Sequence, residues 1–285
     1  MAILEKIFEG ARERKARVVF PEREEPRVAE AVEFMTGKGL IEPVDLADPT
    51  QAHVDALVEA RGMKEAIARR MLQKPLFRAA AMVAAGEADL MVAGAEAPTR
   101  RVIEAASIVI GLEDGVSTAS SFFLMVFPDG REMLWGDCAV NVAPDAAQLA
   151  AIAQTTARSA NALLGEARPA LLSFSTGSSG TGDSVEIVRE AAEICGFAGP
   201  VQADAALNAS IAARKGLSDA GDANVLIFPD LDAGNIAYKL AQELAGAQAI
   251  GPILQGFRRP VCDLSRGASA DDIIASTLVS AAMGA

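Results

Sequence analysis

The sequence is poor in the residues that build metal sites and disulfide frameworks. It has three widely separated cysteines, Cys138, Cys195 and Cys262, and one histidine, His53. Without a CxxC pair neither a zinc site nor a disulfide scaffold is legible, and the usage fits a reducing compartment. Basic blocks are also missing: 26 lysines and arginines face 38 aspartates and glutamates, a net charge of −12 with a pI near 4.7. Nucleic acid and anionic membrane both require a positive footprint, so neither is expected as a partner. No uncharged run, 115–128 and 273–285 included, is long enough to span a bilayer. The opening segment carries charges among its apolar positions, which predicts an amphipathic helix over 2–15 and not a signal peptide, hence a soluble protein. No GxGxxG fingerprint and no P-loop occurs.

What is present is a chain of 285 residues, 51% hydrophobic, long enough for two medium α/β domains. RVVF (17–20) reads as a short strand ended by Pro21. The helix after it carries Val28, Ala31, Val32 and Met35 on one face and stops at Gly37 and Gly39. The segment from Ile41 to Gly62 is less periodic, with room for a strand and a turn. Two helical patterns meet at Lys74 and Pro75, a proline suited to start the second. ADLMVAG (88–94) is a buried strand, and a helix begins near Pro98 or Thr99. FFLMVF and EMLWGDC flank the turn PDGR as a hairpin. A long helix runs from Pro144 and Asp145 to about Leu164, followed by the strand PALLSFST (169–176), a Gly/Ser loop and the helix SVEIVREAAEIC. VQADAAL reads as a strand and turn, NASIAARKG as a helix, NVLIFPD (224–230) as a buried strand, and the next helix as capped by Asp232. IGPILQG (250–256) is the last strand expected. This alternation predicts an α/β fold with mostly parallel sheets, whose ligands sit beyond the carboxyl ends of strands. The loops after Gly94, Thr176, Pro229 and Gly256 are the candidate walls of a site.

Chemistry concentrates in the stretch 255–273, QGFRRPVCDLSRGASADDI, read as a loop leading into the last helix. It holds Arg258, Arg259 and Arg266, with Ser265 and the aspartates Asp263, Asp271 and Asp272. Guanidinium forks suit phosphate oxygens, and a carboxylate can take a proton from a nucleophile. Ser269 followed by Asp272 is equally a helix-start signature, a capping-box variant. Arg100 and Arg101 stand in the first turn of a helix, where positive charge opposes the dipole unless an anion is near. The loop after Thr176 can offer backbone N–H groups to phosphate or act as a plain flexible turn. His53 is far from Ser265 in sequence, which argues against a Ser/His/Asp triad. Cys138 and Cys262 read as small apolar residues.

An ordered series of segments, VVFPEREEPRVAEA, EADLMVAGA, GVSTASSFFLMVFPDG, GDCAVNVAPDAAQLAAIA, LLSFST, QADAAL, ANVLIFPDLDAGNIAYKLAQ and GPILQGFRRPVCDLSRGASADDI, resembles the phosphate acetyl/butyryl transferases over nearly the whole length. The resemblance implies two α/β domains with mostly parallel sheets and the active site in the interdomain cleft. Domain I would be 1–114 with 254–285, and domain II, the dimerising one, 115–253. It implies reversible acetyl transfer between acetyl phosphate and coenzyme A by direct thiolate attack, with coenzyme A as substrate, no cofactor and no metal, in a cytoplasmic homodimer.

By the same resemblance Ser265 supports the transition state, Arg266 binds phosphate and Asp272 is the general base. For any aspartate and thiol, reference pKa values of about 3.9 and 8.5 make that proton transfer uphill by about 6 kcal/mol in water, so a cation must help the thiolate. The sequence departs from the pattern in three places, one of them a shortening of the N-terminal domain around 41–62. The family arginine in the helix after VAGA aligns with Glu104, and either Arg100 or Arg101, one turn earlier, is expected to substitute. The lysine after Ser175 and Thr176 is replaced by Gly177. A further family arginine maps approximately to Arg61. Arg100, Arg101, Arg61, Ser175, Thr176 and Gly177 are therefore the expected substrate-binding set. The alternatives are a butyryl or propionyl transferase, a non-catalytic acyl-phosphate or CoA-binding relative, and a metal-dependent dehydrogenase using Asp230 and Asp232.

Overall fold

The computed structural model describes residues 3–284; Met1, Ala2 and Ala285, and with them the first residue of the helix expected over 2–15, lie outside the described residues. The chain begins with α1 (Ile3–Arg14), β1 (Ala16–Val19), α2 (Pro26–Gly37), β2 (Ile41–Val44), α3 (Gln51–Arg61), α4 (Glu65–Met71), α5 (Pro75–Ala84) and β3 (Leu90–Ala93). Next comes α6 (Thr99–Ala105), which runs directly into a π-helical turn, Ala106–Ile110. The hairpin strands are β4 (Ser120–Val126) and β5 (Glu132–Gly136), followed by α7 (Ala146–Leu164), β6 (Pro169–Leu172), α8 (Asp183–Cys195), β7 (Ala198–Val201), α9 (Ala203–Leu207) and α10 (Ala209–Arg214). The chain closes with β8 (Val225–Ile227), α11 (Leu231–Ala245), β9 (Gln248–Gln255), β10 (Val261–Asp263) and α12 (Ala270–Met283).

The residues fall into two compact units. One is Gly115–Ile250, and the other comprises the chain before and after it, so that β9 carries the crossing point. In the latter unit the strands lie in the order β2-β1-β3-β10-β9, parallel except for β9, which runs antiparallel to β10. The middle unit orders its strands β4-β5-β8-β6-β7, parallel except for the β4–β5 hairpin.

Sequence explains most of these boundaries. Asp145 and Gln148 form a reciprocal capping box at the start of α7, and Gly165 ends that helix in the left-handed region. In α12 every residue from Ile273 to Ala281 is buried, and Arg14 closes its far end on the carbonyls of Ala281 and Gly284. Each aliphatic side chain so buried contributes roughly 1.5–3 kcal/mol, which fixes the helix that follows the DLSRG loop. The middle unit has an aromatic core in which Phe123 stacks on Tyr238 at 4.2 Å between ring centroids, and Trp135 packs against Phe228.

Several expectations change. The loosely read 41–62 segment contains β2 and all of α3, whose N-cap is Thr50. Residues after Val201 continue as the short helix α9 instead of a turn. Helix α11 is capped by Asp230, which accepts from Ala233 N at 2.8 Å, and not by Asp232. The stretch 255–273 is no continuous loop and β9 is not the last strand, because Val261–Asp263 adds β10 between β3 and β9. Three residues behind a proline carry no readable period, and their parallel partner β3 is remote in sequence.

Candidate active site

In the unit built from both ends of the chain, β1, β3 and β10 run parallel, and Asp263 lies level with Ala93. Their exit loops therefore gather at one edge of the sheet, where open α/β sheets bind ligands. Glu22, just after β1, accepts four consecutive backbone N–H groups from the β3 exit loop: Gly94 and Ala95 on Oε2 at 2.8 Å each, Glu96 at 3.3 Å and Ala97 at 2.7 Å on Oε1. Arg27 braces the DLSRG loop from beneath. Its Nη1 donates to the carbonyls of Arg266 and Ala268, both at 2.8 Å, and its Nε pairs with Glu25 at 2.7 Å.

On this base Ser265, Arg266 and Gly267 are exposed. The Arg266 guanidinium has no hydrogen-bond or ionic partner among the described residues. Ser265 Oγ accepts from Gly267 N at 3.3 Å, leaving its own proton available. Asp272 completes a capping box: its Oδ2 accepts from Ser269 N at 2.9 Å and Ser269 Oγ at 2.8 Å, while Ser269 Oγ receives Asp272 N at 3.2 Å. Oδ1 of Asp272 has no partner among the described residues, so capping occupies one oxygen only.

The two arginines of α6 separate in role. Arg101 Nη1 pairs with Glu104 Oε2 at 2.7 Å, whereas Arg100 is exposed and has no partner among the described residues. The hydrogen bond from Arg101 holds the Glu104 carboxyl below its ordinary range, helped by the charges of Arg101, Lys74 and Arg100. Lys74 thus belongs to this basic neighbourhood, although nothing in its sequence context marks it. Arg61 is spent on backbone: Nε donates to Ile108 O at 2.8 Å and Nη2 to Ser107 O, which closes the π-helical turn.

The apparent arginine cluster at 258–266 is split by β10. Arg258 and Arg259 precede that strand and Arg266 follows it, so about 10 Å of extended chain puts them at opposite edges of the sheet. Arg258 pairs instead with Asp114 at 3.0 Å. Because β9 is antiparallel to β10, the loop after Gly256 leaves the candidate wall to which it was assigned.

At the end of β10, Asp263 is wholly buried, at 0% exposure. Its Oδ2 accepts from Thr99 Oγ1 at 2.6 Å, and its Oδ1 has no partner. Burial pushes this carboxyl up to about 7, with Glu22 adding to the rise against the Thr99 bond. Gly94 makes the approach possible: at φ +108 it lies so close that a Cβ would stand 2.6 Å from Asp263 Oδ1 and 2.7 Å from Leu264 N.

Ser175, Thr176 and Gly177 belong to the middle unit, on the exit loop of β6. The Ser175 hydroxyl is buried and tied inside its own loop, accepting Gly180 N at 2.8 Å and pairing with Ser179 Oγ at 3.2 Å. Thr176 Oγ1 exchanges bonds with Gln202, whose Oε1 also receives Lys215 Nζ at 2.9 Å. Gly177, at φ +55, donates to Pro200 O at 3.0 Å, and its carbonyl takes Arg189 Nη2 at 3.1 Å. Asp230 is the α11 cap described above, and among the described residues no three His, Cys, Asp or Glu side chains are arranged to hold a metal ion. The buried thiol of Cys262 is pushed up to about 12 by desolvation, and that of Cys138 is also raised, so both pack as apolar groups. Sequence reasoning missed Glu22, Arg27, Thr99 and Lys74 as contributors, and a patterned sequence holds no local signal for contacts between such distant positions.

Comparison with known proteins places these features in a family. A profile described as Phosphate acetyl/butaryl transferase matches residues 50–281. The chain is 39% identical to a phosphate acetyltransferase of Haemophilus influenzae, with 94% of this chain aligned to 43% of that protein, so it spans less than half the length of that relative. It is also 39% identical to a phosphate acetyltransferase of Paracoccus denitrificans, over 99% of both chains. The crystal structure of a phosphotransacetylase from Streptococcus pyogenes superposes with a TM-score of 0.91 at 36% identity, covering 100% of this chain and 99% of the other. No helix among the described residues is long and apolar enough to cross a membrane. With the profile matching residues 50–281, most of the chain, and the Paracoccus relative aligned from end to end, the chain belongs to the phosphate acetyl/butaryl transferase family.

Proposed function

We propose that this protein is a phosphate acetyltransferase, converting acetyl phosphate and coenzyme A to acetyl-CoA and inorganic phosphate, and the reverse. What carries the assignment is the alignment with the Paracoccus phosphate acetyltransferase over 99% of both chains. The geometry supports it with an exposed, unpaired guanidinium and a serine hydroxyl on one braced loop. In the forward step the coenzyme A sulfur forms a bond to the acetyl carbonyl carbon, the carbon–oxygen bond to phosphate breaks, and phosphate leaves with that electron pair. The thiol proton goes to Asp272 Oδ1, the oxygen that the capping box leaves uncommitted.

Arg266 holds the phosphoryl oxygens and neutralises the leaving group, and the Ser265 hydroxyl donates to the developing oxyanion; one such donor is commonly worth about 3–4 kcal/mol in the barrier. Arg100, not Arg101, takes the place of the family arginine, since Arg101 is neutralised by Glu104. We further assign the chain to the cytoplasm, on its reduced cysteines, and to a homodimer. Ile236, Leu240 and Leu244, exposed at 57%, 51% and 80%, repeat every fourth residue along α11. That stripe is a second apolar face on a helix whose Ala233, Ala237 and Ala241 already pack inward.

Thioester formation from acetyl phosphate and coenzyme A, followed by ultraviolet absorbance, tests the function. Acetyl-CoA is expected, with slower rates for propionyl and butyryl phosphates. A folded chain that forms no thioester with any of them would be a non-catalytic relative.

A further inference from the structure

Thr99 and Asp263 are 164 positions apart, yet they share a hydrogen bond of 2.6 Å. Each stands at the root of a segment that carries an unpaired arginine: Thr99 immediately precedes Arg100, and Asp263 begins the DLSRG run that exposes Ser265 and Arg266. We propose that this hydrogen bond is a positioning pair that sets Arg100 in register with the Ser265–Arg266 loop, so that both guanidinium groups address one phosphoryl group. The proposal rests on the phosphate acetyltransferase reading.

A core role alone explains the pair poorly. A carboxyl wholly out of water with one donor and one orphaned oxygen costs several kcal/mol relative to an apolar side chain of the same size. Such a group is expected where it fixes geometry instead of adding stability. The local structure points the same way. Pro98 gives α6 no side-chain cap, so the helix start that carries Arg100 is located by Thr99 and by the Glu22 grip on residues 94–97. The carboxyl also presses on the backbone at Gly94, where even a methyl group would collide. The bond survives titration as well. Oδ2 already accepts from Thr99, so a proton taken up near neutral pH goes to the unpartnered Oδ1, and the Thr99 hydroxyl donates to Oδ2 in either state.

The test compares Thr99→Val, Thr99→Ala and Thr99→Ser, alone and in an Arg100→Ala background. Binding of inorganic phosphate is read by calorimetry, and KM for acetyl phosphate by the thioester assay. Loss of the hydroxyl is expected to weaken phosphate binding and raise that KM by about 10-fold, because a displacement of about 1 Å is costly in a positioned site. Thr99→Ser should restore both to within about 2-fold, and in Arg100→Ala the further loss from Thr99→Val should fall to about 2-fold or less, since the two act through one group. Thr99→Ala removes the hydroxyl without adding bulk and replaces the valine variant should that one not fold. Wild-type phosphate affinity in a hydroxyl-less variant, or an undiminished loss in the Arg100→Ala background, overturns the pairing. A wild-type chain that binds phosphate but forms no thioester overturns the catalytic reading alone, and the phosphate series still decides the pairing; one that does neither overturns both.

Discussion

Both units carry a buried aspartate just where a strand delivers the chain to its carboxyl-edge loop, and the two are treated differently. Asp137, after β5, is 3% exposed and accepts from Ser121 Oγ, from the backbone N–H groups of Ala139, Val140 and Asn141, and from Asn141 Nδ2. Asp263, at the end of β10, has Thr99 alone and one orphaned oxygen. The first builds a loop, since five donors satisfy its two carboxyl oxygens and fold residues 137–141 around it. The second is held in place without being satisfied, beside a loop that leaves Arg266 free. The same contrast extends to the neighbouring loops. The Ser175 to Gly180 loop closes on its own hydroxyls, whereas the Ser265 to Ala268 loop is braced by Arg27 from another element, with its charge directed outward.

Five substitutions would break or sharpen that contrast. Arg266→Ala should lower kcat by about 10²–10³-fold with the protein still folded, since its only effect is to remove an unpaired guanidinium from the reacting phosphate; activity within a few-fold of wild type would remove Arg266 from the site. Asp263→Asn tests the unsatisfied carboxyl through stability. In the folded chain this group takes up its proton near 7 and in the unfolded chain near 3.8. Between those values the folded state holds a proton that the unfolded state lacks, so stability declines as pH rises from about 4 to 7 and stays at the lower level above. Removing the group should flatten that decline, raising stability at pH 8 relative to pH 4 by up to a few kcal/mol; an identical change of unfolding free energy between pH 4 and pH 8 in both proteins, read from denaturant titrations, would contradict the assignment.

Smaller effects separate the two α6 arginines and then the two units. Arg100→Ala should raise KM for acetyl phosphate by about 10-fold, and Arg101→Ala by less than about 2-fold, because its charge is already met by Glu104. Equal effects would show that the Glu104 pair opens in the complex. Ser175→Ala should cost about 1 kcal/mol of stability, through the loss of the Gly180 bond, and leave phosphate affinity within about 2-fold. A large affinity loss would move anion binding into the middle unit.

Much of the scaffold was legible because it is local. The buried strand at β3, the Pro75 helix start, the β4–β5 hairpin and the Ser269–Asp272 capping box are each written in a handful of adjacent residues. Strand β10 escaped because three residues show no period, and its discovery divided an apparent cluster of arginines into two unrelated sites. Glu22, Arg27 and Thr99 escaped for a different reason: each acts on a segment more than sixty residues away, and nothing in its own neighbourhood records the partner.

By itself the sequence determined the βα alternation, the helix starts at Asp145 and Ser269, and the acidic composition that argues against nucleic acid; it singled out Ser265, Arg266 and Asp272 only through the family resemblance. Only the tertiary structure decided which positive charges are available. Arg61 is consumed by the carbonyls of Ser107 and Ile108, Arg101 by Glu104 and Arg258 by Asp114, while Arg100 and Arg266 are left open. The physical reason is that a guanidinium has five donors and binds whatever acceptors the fold brings within reach; its availability is a property of its surroundings, which no residue type specifies.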